Sequence, residues 1–241
     1  MLPRGGIGHR LRKNGMQTTR TAVFDLDGTL ADTAPDLVAA ANALLAELDL
    51  PPLALASTRN AAGMGGRALI RLGCQRAGRP EPHGDSLEDL YRRFLVLYDD
   101  RIAGQSRLFD GVARTLDGLR GEGWRLAVCT NKPVAPARRL LEHFDLLDRF
   151  GAVLGGDSLD VRKPDPRHVA ESVAAVGGRP DRAAMVGDSI VDLSAAHAAG
   201  LPCALVRYGY SAKPVDELGA DAVLDRFDEL SELLPRWVGG T

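Results

Sequence analysis

Residues 22–29 read Ala22-Val23-Phe24-Asp25-Leu26-Asp27-Gly28-Thr29, an apolar run that ends on two carboxylates and a glycine. In a continuing strand Asp25 and Asp27 would point the same way, but Gly28 lets the backbone turn, so the pair can share one small site. Two crowded anions need a cation or a proton. Phosphoryl transfer through an acyl-phosphate uses both, with one Asp as nucleophile, the other as general acid and base, and a hard divalent metal neutralising the site. Taken alone, such a tetrad is more often an Asx-turn after a strand. The rest of the chain decides between the two.

From Thr21 onward, short β-rich apolar runs alternate with longer segments of helical periodicity, as βαβ units and a parallel sheet require. The expected strands are residues 21–24, 125–129, 152–154, 183–186, 203–206 and 222–224. Most are apolar throughout rather than alternating, which suits strands covered by helices on both faces. The expected helices between them are residues 112–120, 135–143, 166–176, 190–199 and 227–234, each ending near Gly or Pro.

One interval breaks the rhythm. Between the first strand and residue 125 lie about a hundred residues without a convincing strand, far more than a βαβ crossover needs. Residues 35–107 are expected to be an inserted helical unit, with helices at 35–48, 55–62, 67–77 and 87–103. In the first, Leu37, Ala40, Ala41, Leu44, Leu45 and Leu48 make one apolar stripe. An insert placed there would sit above the carboxyl end of the first strand, as a lid. The predicted fold class is α/β, a doubly wound, Rossmann-like parallel sheet (residues 21–34 and 108–241) with an inserted α-helical cap domain.

Ligands of open α/β sheets bind outside the carboxyl ends of the strands, so the residues just past each apolar run are informative. Thr130, Asn131 and Lys132 come after the second run, Gly155-Gly156-Asp157 and then Arg162-Lys163-Pro164-Asp165-Pro166 after the third, and Asp188 after the fourth, with Asp192 four residues on. Thr130 stands at the mouth of a helix, where free N–H groups favour a phosphate oxygen or, more simply, where a hydroxyl caps the helix. Lys163 can reach the same phosphate from an extended loop before Pro164. Only Lys13, Lys132, Lys163 and Lys213 are lysines among 30 basic residues, which makes a Lys at such a place more telling than an Arg. Asp188 and Asp192 lie about one helical turn apart and can face one cavity. With Asp25 they form an oxygen-only donor set, which points to Mg²⁺ rather than zinc.

Bulk properties narrow the field further. A formal net charge of -2 argues against nucleic acid as partner, and charged or Gly/Pro positions interrupt every apolar run before it could span a bilayer. Cys74, Cys129 and Cys203 are odd in number and lack CxxC or Cys/His spacing, so a reducing cytoplasm is expected. Residues 1–20 carry five basic and no acidic residues and read as a disordered extension. The expected state is monomer or homodimer.

Asp25-x-Asp27-Gly28-Thr29, Thr130-Asn131-Lys132, Lys163-Pro164 and Gly187-Asp188-x-x-x-Asp192, in that order, together resemble the haloacid dehalogenase-like superfamily. Asp27 is the position at which that superfamily's phosphate-directed members differ from its dehalogenating branch. The resemblance implies that Asp25 becomes an aspartyl-phosphate and that Asp27 protonates the leaving alcohol, then deprotonates water. It implies Mg²⁺ held by Asp25, the backbone carbonyl of Asp27 and Asp188, with Asp192 behind them, and phosphate oxygens held by Gly28, Thr29, Thr130, Asn131 and Lys163. Asp32-Thr33-Ala34-Pro35-Asp36-Leu37, Cys129 to Pro133, Gly155 to Asp157, Val161 to Pro166, Tyr208-Gly209-Tyr210 and the loop Gly63 to Leu69 are similar to bacterial phosphoglycolate phosphatases. That narrower resemblance implies a small phosphorylated metabolite, 2-phosphoglycolate, as substrate. Arg67 and Arg71, four apart on a cap helix, are either cations for the substrate carboxylate or surface arginines. Another sugar-phosphate or nucleotide phosphatase, a phosphomutase and a non-catalytic phospho-ligand module are the alternatives.

Overall fold

A computed structural model describes residues 19–238. The expectation of a disordered extension at residues 1–20 therefore lies, up to residue 18, outside the described residues. β1 (Thr21–Phe24) leads through the two-residue strand β2 (Ala31–Asp32) into α1 (Ala34–Glu47), α2 (Arg59–Gly63), α3 (Gly66–Arg76) and α4 (Gly84–Asp99). The chain returns through β3 (Arg107–Leu108) to α5 (Val112–Gly121). Strands and helices then alternate: β4 (Arg125–Cys129), α6 (Val134–His143), β5 (Ala152–Leu154), α7 (Pro166–Ala175), β6 (Ala183–Gly187), α8 (Ile190–Ala198), β7 (Cys203–Val206), β8 (Ala222–Leu224) and α9 (Leu230–Val238).

The main sheet is parallel, in the order β5-β4-β1-β6-β7-β8. Strand pleating sends alternate residues to opposite faces, and both faces are buried. Ala22, Phe24, Leu126, Val128, Ala184 and Val186 pack with α5, α6 and α9; Val23, Ala127, Cys129, Met185 and Leu205 pack with α7 and α8. This is the doubly wound arrangement that the apolar runs predict. Phe24, fully buried between Phe150 and Phe227 at ring distances of 6.2 and 5.9 Å, pins β1 in the middle. Successive strands are laid on either side of β1, so the order switches there, where a doubly wound sheet opens its crevice.

The inserted helices have a core of their own. Leu37, Ala41, Leu44 and Leu45 of α1 pack with Leu69 and Ile70 of α3 and with Phe94, Leu97 and Tyr98 of α4. Where the chain enters and leaves this unit, β2 and β3 pair antiparallel, Ala31 with Leu108 and Asp32 with Arg107. The buried Asp36 carboxylate reinforces the junction by accepting from Gln105 N (2.8 Å), Ser106 N (2.9 Å) and Ser106 Oγ (2.5 Å).

Several element bounds differ from the sequence reading. The helix expected at 55–62 is a 3-10 turn at Leu55–Ser57 followed by α2, broken at Thr58, whose hydroxyl donates to Ala54 O at 2.7 Å. That local bond competes with helix continuation. α4 starts three residues before the expected Leu87 and stops at Asp99, before Ala103, whose φ of 61° lies in the left-handed region. The last segment is a 3-10 turn at Phe227–Glu229 and then α9, which runs past Pro235 and buries Val238.

α7 carries a buried histidine with a defined task. His168 is fully buried, its Nδ1 accepts from Lys163 N at 3.3 Å, and its Nε2 has no partner among the described residues. Burial, and then the positive charge of Lys163, push its pKa down to about 4. The folded state thus binds fewer protons than the unfolded chain between pH ~4 and ~6.5, and stability from His168 is intact above that window and lost as pH falls through it. The loss amounts to about 3 kcal/mol at most. Denaturant titrations of wild type and His168→Asn at pH 7 and pH 4 should show the wild-type advantage shrinking toward acid, the contributions of other groups cancelling in the difference. An advantage that does not change with pH would contradict this assignment.

Candidate active site

β1 delivers Asp25 to the carboxyl edge of the sheet, and Asp25 N still donates to Val186 O at 2.9 Å, one residue past the strand. The chain then folds back tightly, Leu30 N to Leu26 O at 3.0 Å and Gly28 N to Ala31 O at 2.9 Å. Gly28 has φ 82°, and a Cβ there would collide with the Asp188 carboxylate and the Tyr210 ring. Glycine is required twice over, by conformation and by space.

Lys163 is the hub of the charges. Its ammonium, on a side chain 1% exposed, lies 2.6 Å from Asp192 Oδ1 and 3.0 Å from Asp25 Oδ1. The other Asp192 oxygen accepts from Asp188 N (3.2 Å), Ser189 N (3.1 Å) and Ser189 Oγ (2.8 Å), which closes the turn into α8. Asp188 Oδ2 accepts from Tyr210 N at 2.6 Å. One oxygen from each of Asp25, Asp188 and Asp192 falls within 4.8 Å of the others.

Burial raises the Asp25 pKa to about 6 against the pull of Lys163, and burial followed by the charges of Asp192 and Asp25 raises that of Asp188 well above the usual range. Burial also works against the Lys163 ammonium, yet Asp192 and Asp25 outweigh it and hold its pKa above the ordinary lysine value. Three carboxylates against one ammonium leave an excess of negative charge. Asp25 Oδ1 is buried and makes no hydrogen bond among the described residues, despite its proximity to Lys163. A hard divalent cation fits this all-oxygen, anionic cluster; a thiolate- and imidazole-seeking metal does not.

A separate set of groups engages Asp27. Thr33 Oγ1 donates to Asp27 Oδ1 at 2.6 Å, and Lys132 Nζ lies 3.1 and 3.2 Å from its two carboxylate oxygens. Lys132 was legible only as the third residue of Thr130-Asn131-Lys132, without a task; the scarcity of lysine was the available signal. Tyr210 likewise carries no local signal of a task. Its hydroxyl accepts from Thr33 N (2.6 Å) and Ala34 N (2.9 Å) at the start of α1 and donates to Asp32 Oδ1 (2.7 Å), while Asp32 pairs with Arg59 of α2. One side chain thus ties the Asp188 loop to the root of the helical insert.

The remaining candidates have partners of other kinds. Thr130 is buried, and its hydroxyl accepts from Lys132 N at 3.2 Å; the first turn of α6 is capped instead by Asp157, whose Oδ1 accepts from Val134 N at 2.7 Å. Thr29 is buried with a hydroxyl that has no partner among the described residues. Asn131 Nδ2 donates to Lys163 O at 2.9 Å and so steadies the lysine loop. Arg67 is engaged on the insert: both its hydrogen bonds to Glu88 are 2.7 Å, and its guanidinium stacks 3.6 Å from the Tyr91 ring centre. Arg71 pairs with Glu81 at 3.1 Å.

The chain is similar in sequence and fold to known proteins. A phosphoglycolate phosphatase of Caulobacter vibrioides is 47% identical over 207 residues, 86% of this chain and 87% of the relative. The crystal structure of a predicted phosphoglycolate phosphatase from Haemophilus somnus superposes with a TM-score of 0.82 at 32% identity, covering 91% of this chain and 99% of that one. CbbY from Rhodobacter sphaeroides, solved in complex with phosphate, superposes with a TM-score of 0.73 at 27% identity, covering 88% and 96%. The model of the haloacid dehalogenase-like hydrolases matches residues 19–200, a span that contains Asp25, Asp27, Thr130, Lys163, Asp188 and Asp192. The chain belongs to the haloacid dehalogenase-like hydrolases.

Proposed function

We propose that the chain is a Mg²⁺-dependent phosphomonoesterase that hydrolyses 2-phosphoglycolate to glycolate and phosphate through an aspartyl-phosphate on Asp25. The observation that carries this reading is the partly buried Asp25 carboxylate set against the buried Lys163 ammonium, with one oxygen each of Asp25, Asp188 and Asp192 within 4.8 Å of the others. Phosphoglycolate phosphatases of 40–47% identity over most of the chain support the substrate.

Asp25 attacks phosphorus as the bond to the leaving oxygen breaks, and Asp27 gives that oxygen its proton. Asp27 then takes a proton from water, whose oxygen displaces Asp25 from phosphorus. Lys163 orients Asp25 and offers positive charge to the phosphoryl oxygens, the kind of fixed electrostatics that dominates phosphoryl transfer. Thr130 and the orphaned Thr29 hydroxyl offer further donors, as does the backbone around Gly28, while Asn131 acts on the phosphate through the Lys163 loop. When bound, Mg²⁺ neutralises charge on the transferring group, with Asp25, Asp188 and the Asp27 carbonyl as its holders. Asp192, its oxygens already engaged, supports Lys163 and the 188–189 turn from behind. Residues 35–107 serve as the cap over this edge, in a protein of the cytoplasm; among the described residues no helix is long and apolar enough to cross a membrane.

A panel of phosphomonoesters, assayed with and without chelator, should show phosphoglycolate with the highest kcat/KM, activity abolished by EDTA and restored by Mg²⁺. Much faster turnover of a sugar phosphate or nucleotide would sink the substrate assignment. Asp192→Asn keeps the shape but removes the charge facing Lys163, and a loss of about 10–100-fold in activity or Mg²⁺ affinity is expected. Unchanged values for both would contradict its supporting role.

A further inference from the structure

Lys132 and Tyr98 form a charged, under-used corner beside Asp27. The Lys132 side chain is 4% exposed, and its ammonium sits 4.4 Å from the Tyr98 ring centre on α4. The Tyr98 residue is 1% exposed, and its O–H has no acceptor among the described residues. An ammonium carries three donors; beyond the two Asp27 oxygens Lys132 faces the Tyr98 side chain, whose own O–H stays without an acceptor. A buried charge and a buried hydroxyl with capacity to spare are costly unless a ligand completes them.

The mechanism places the leaving oxygen within hydrogen-bond reach of Asp27, about 2.6–3.2 Å. In 2-phosphoglycolate a single carbon separates that oxygen from the carboxylate. The carboxylate therefore arrives where Lys132 already stands, next to Asp27. A neutral leaving group would put nothing there for the ammonium to bind. We propose that Lys132, with the Tyr98 hydroxyl as second donor, is the subsite that binds the substrate's carboxylate and selects short α-carboxylated phosphomonoesters. The subsite rests on the phosphoglycolate reading and adds its basis: a cation from the core and a hydroxyl from the insert meet only when the two are together, so the carboxylate also helps to hold them closed. Arg67, engaged by Glu88 and Tyr91, is not needed for it.

The test compares kcat/KM for 2-phosphoglycolate with that for ethyl phosphate, which keeps the leaving oxygen and its carbon but lacks the carboxylate, in wild type, Lys132→Gln and Tyr98→Phe. The ratio should be large in wild type, fall about 10- to 100-fold in Lys132→Gln, and fall by a smaller factor in Tyr98→Phe. A merely structural lysine would lower both substrates together and leave the ratio alone. Tyr98→Phe keeps the buried ring and so reports even if Lys132→Gln does not fold. A wild-type ratio near one would remove the phosphoglycolate reading and the subsite with it. A large wild-type ratio that neither variant lowers would remove the subsite and leave the reading standing.

Discussion

Lys163 carries a full positive charge into a site where its side chain is 1% exposed, and Asp25 at 3.0 Å and Asp192 at 2.6 Å make that tenable. Taking such charges from water is expensive, and removing one partner of a buried set typically costs about 3–5 kcal/mol because the others are left uncompensated. The surrounding structure serves this contact. His168 and Asn131 fix the Lys163 backbone, Ser189 and the turn into α8 fix Asp192, and the β1–β6 pairing fixes Asp25. In the proposed mechanism, an Asp25 kept in place by a buried cation has little reorganisation left to do when a phosphoryl group arrives.

A second, part-buried contact connects this site to the helical insert. Thr33 is the residue before α1, yet its hydroxyl donates to Asp27 rather than capping its own helix. The N–H groups of Thr33 and Ala34 are satisfied instead by the Tyr210 hydroxyl, on the chain that also holds Asp188. The root of α1 is thereby bonded both to Asp27 and, through Tyr210, to the Asp188 loop. With β2–β3 and Asp36 closing the junction, the insert joins the sheet beside the acidic cluster.

The parallel sheet was legible because its strands are buried on both faces and so read as unbroken apolar runs, whereas β2 and β3 are two residues each and leave no period to detect. The acidic cluster was legible because Asp25, Asp188 and Asp192 all lie past strand ends at fixed offsets. Lys132 was not, since its meaning comes from Tyr98, on a helix whose approach no local pattern records. Arg67 shows the converse: its spacing from Arg71 is suggestive, but Glu88, 21 residues on, takes up the guanidinium. Thr130 sits where a cap would, and Asp157 on the neighbouring loop takes the capping role.

The most direct test is to trap the covalent intermediate. Acid quench of the Mg²⁺-loaded enzyme during turnover of phosphoglycolate, followed by peptide mass spectrometry, should place a phosphoryl group on the Asp25 side chain, with none in Asp25→Asn. A phosphoryl group found on Asp27 or another residue, or full turnover by folded Asp25→Asn, would contradict the assignment of Asp25 as nucleophile.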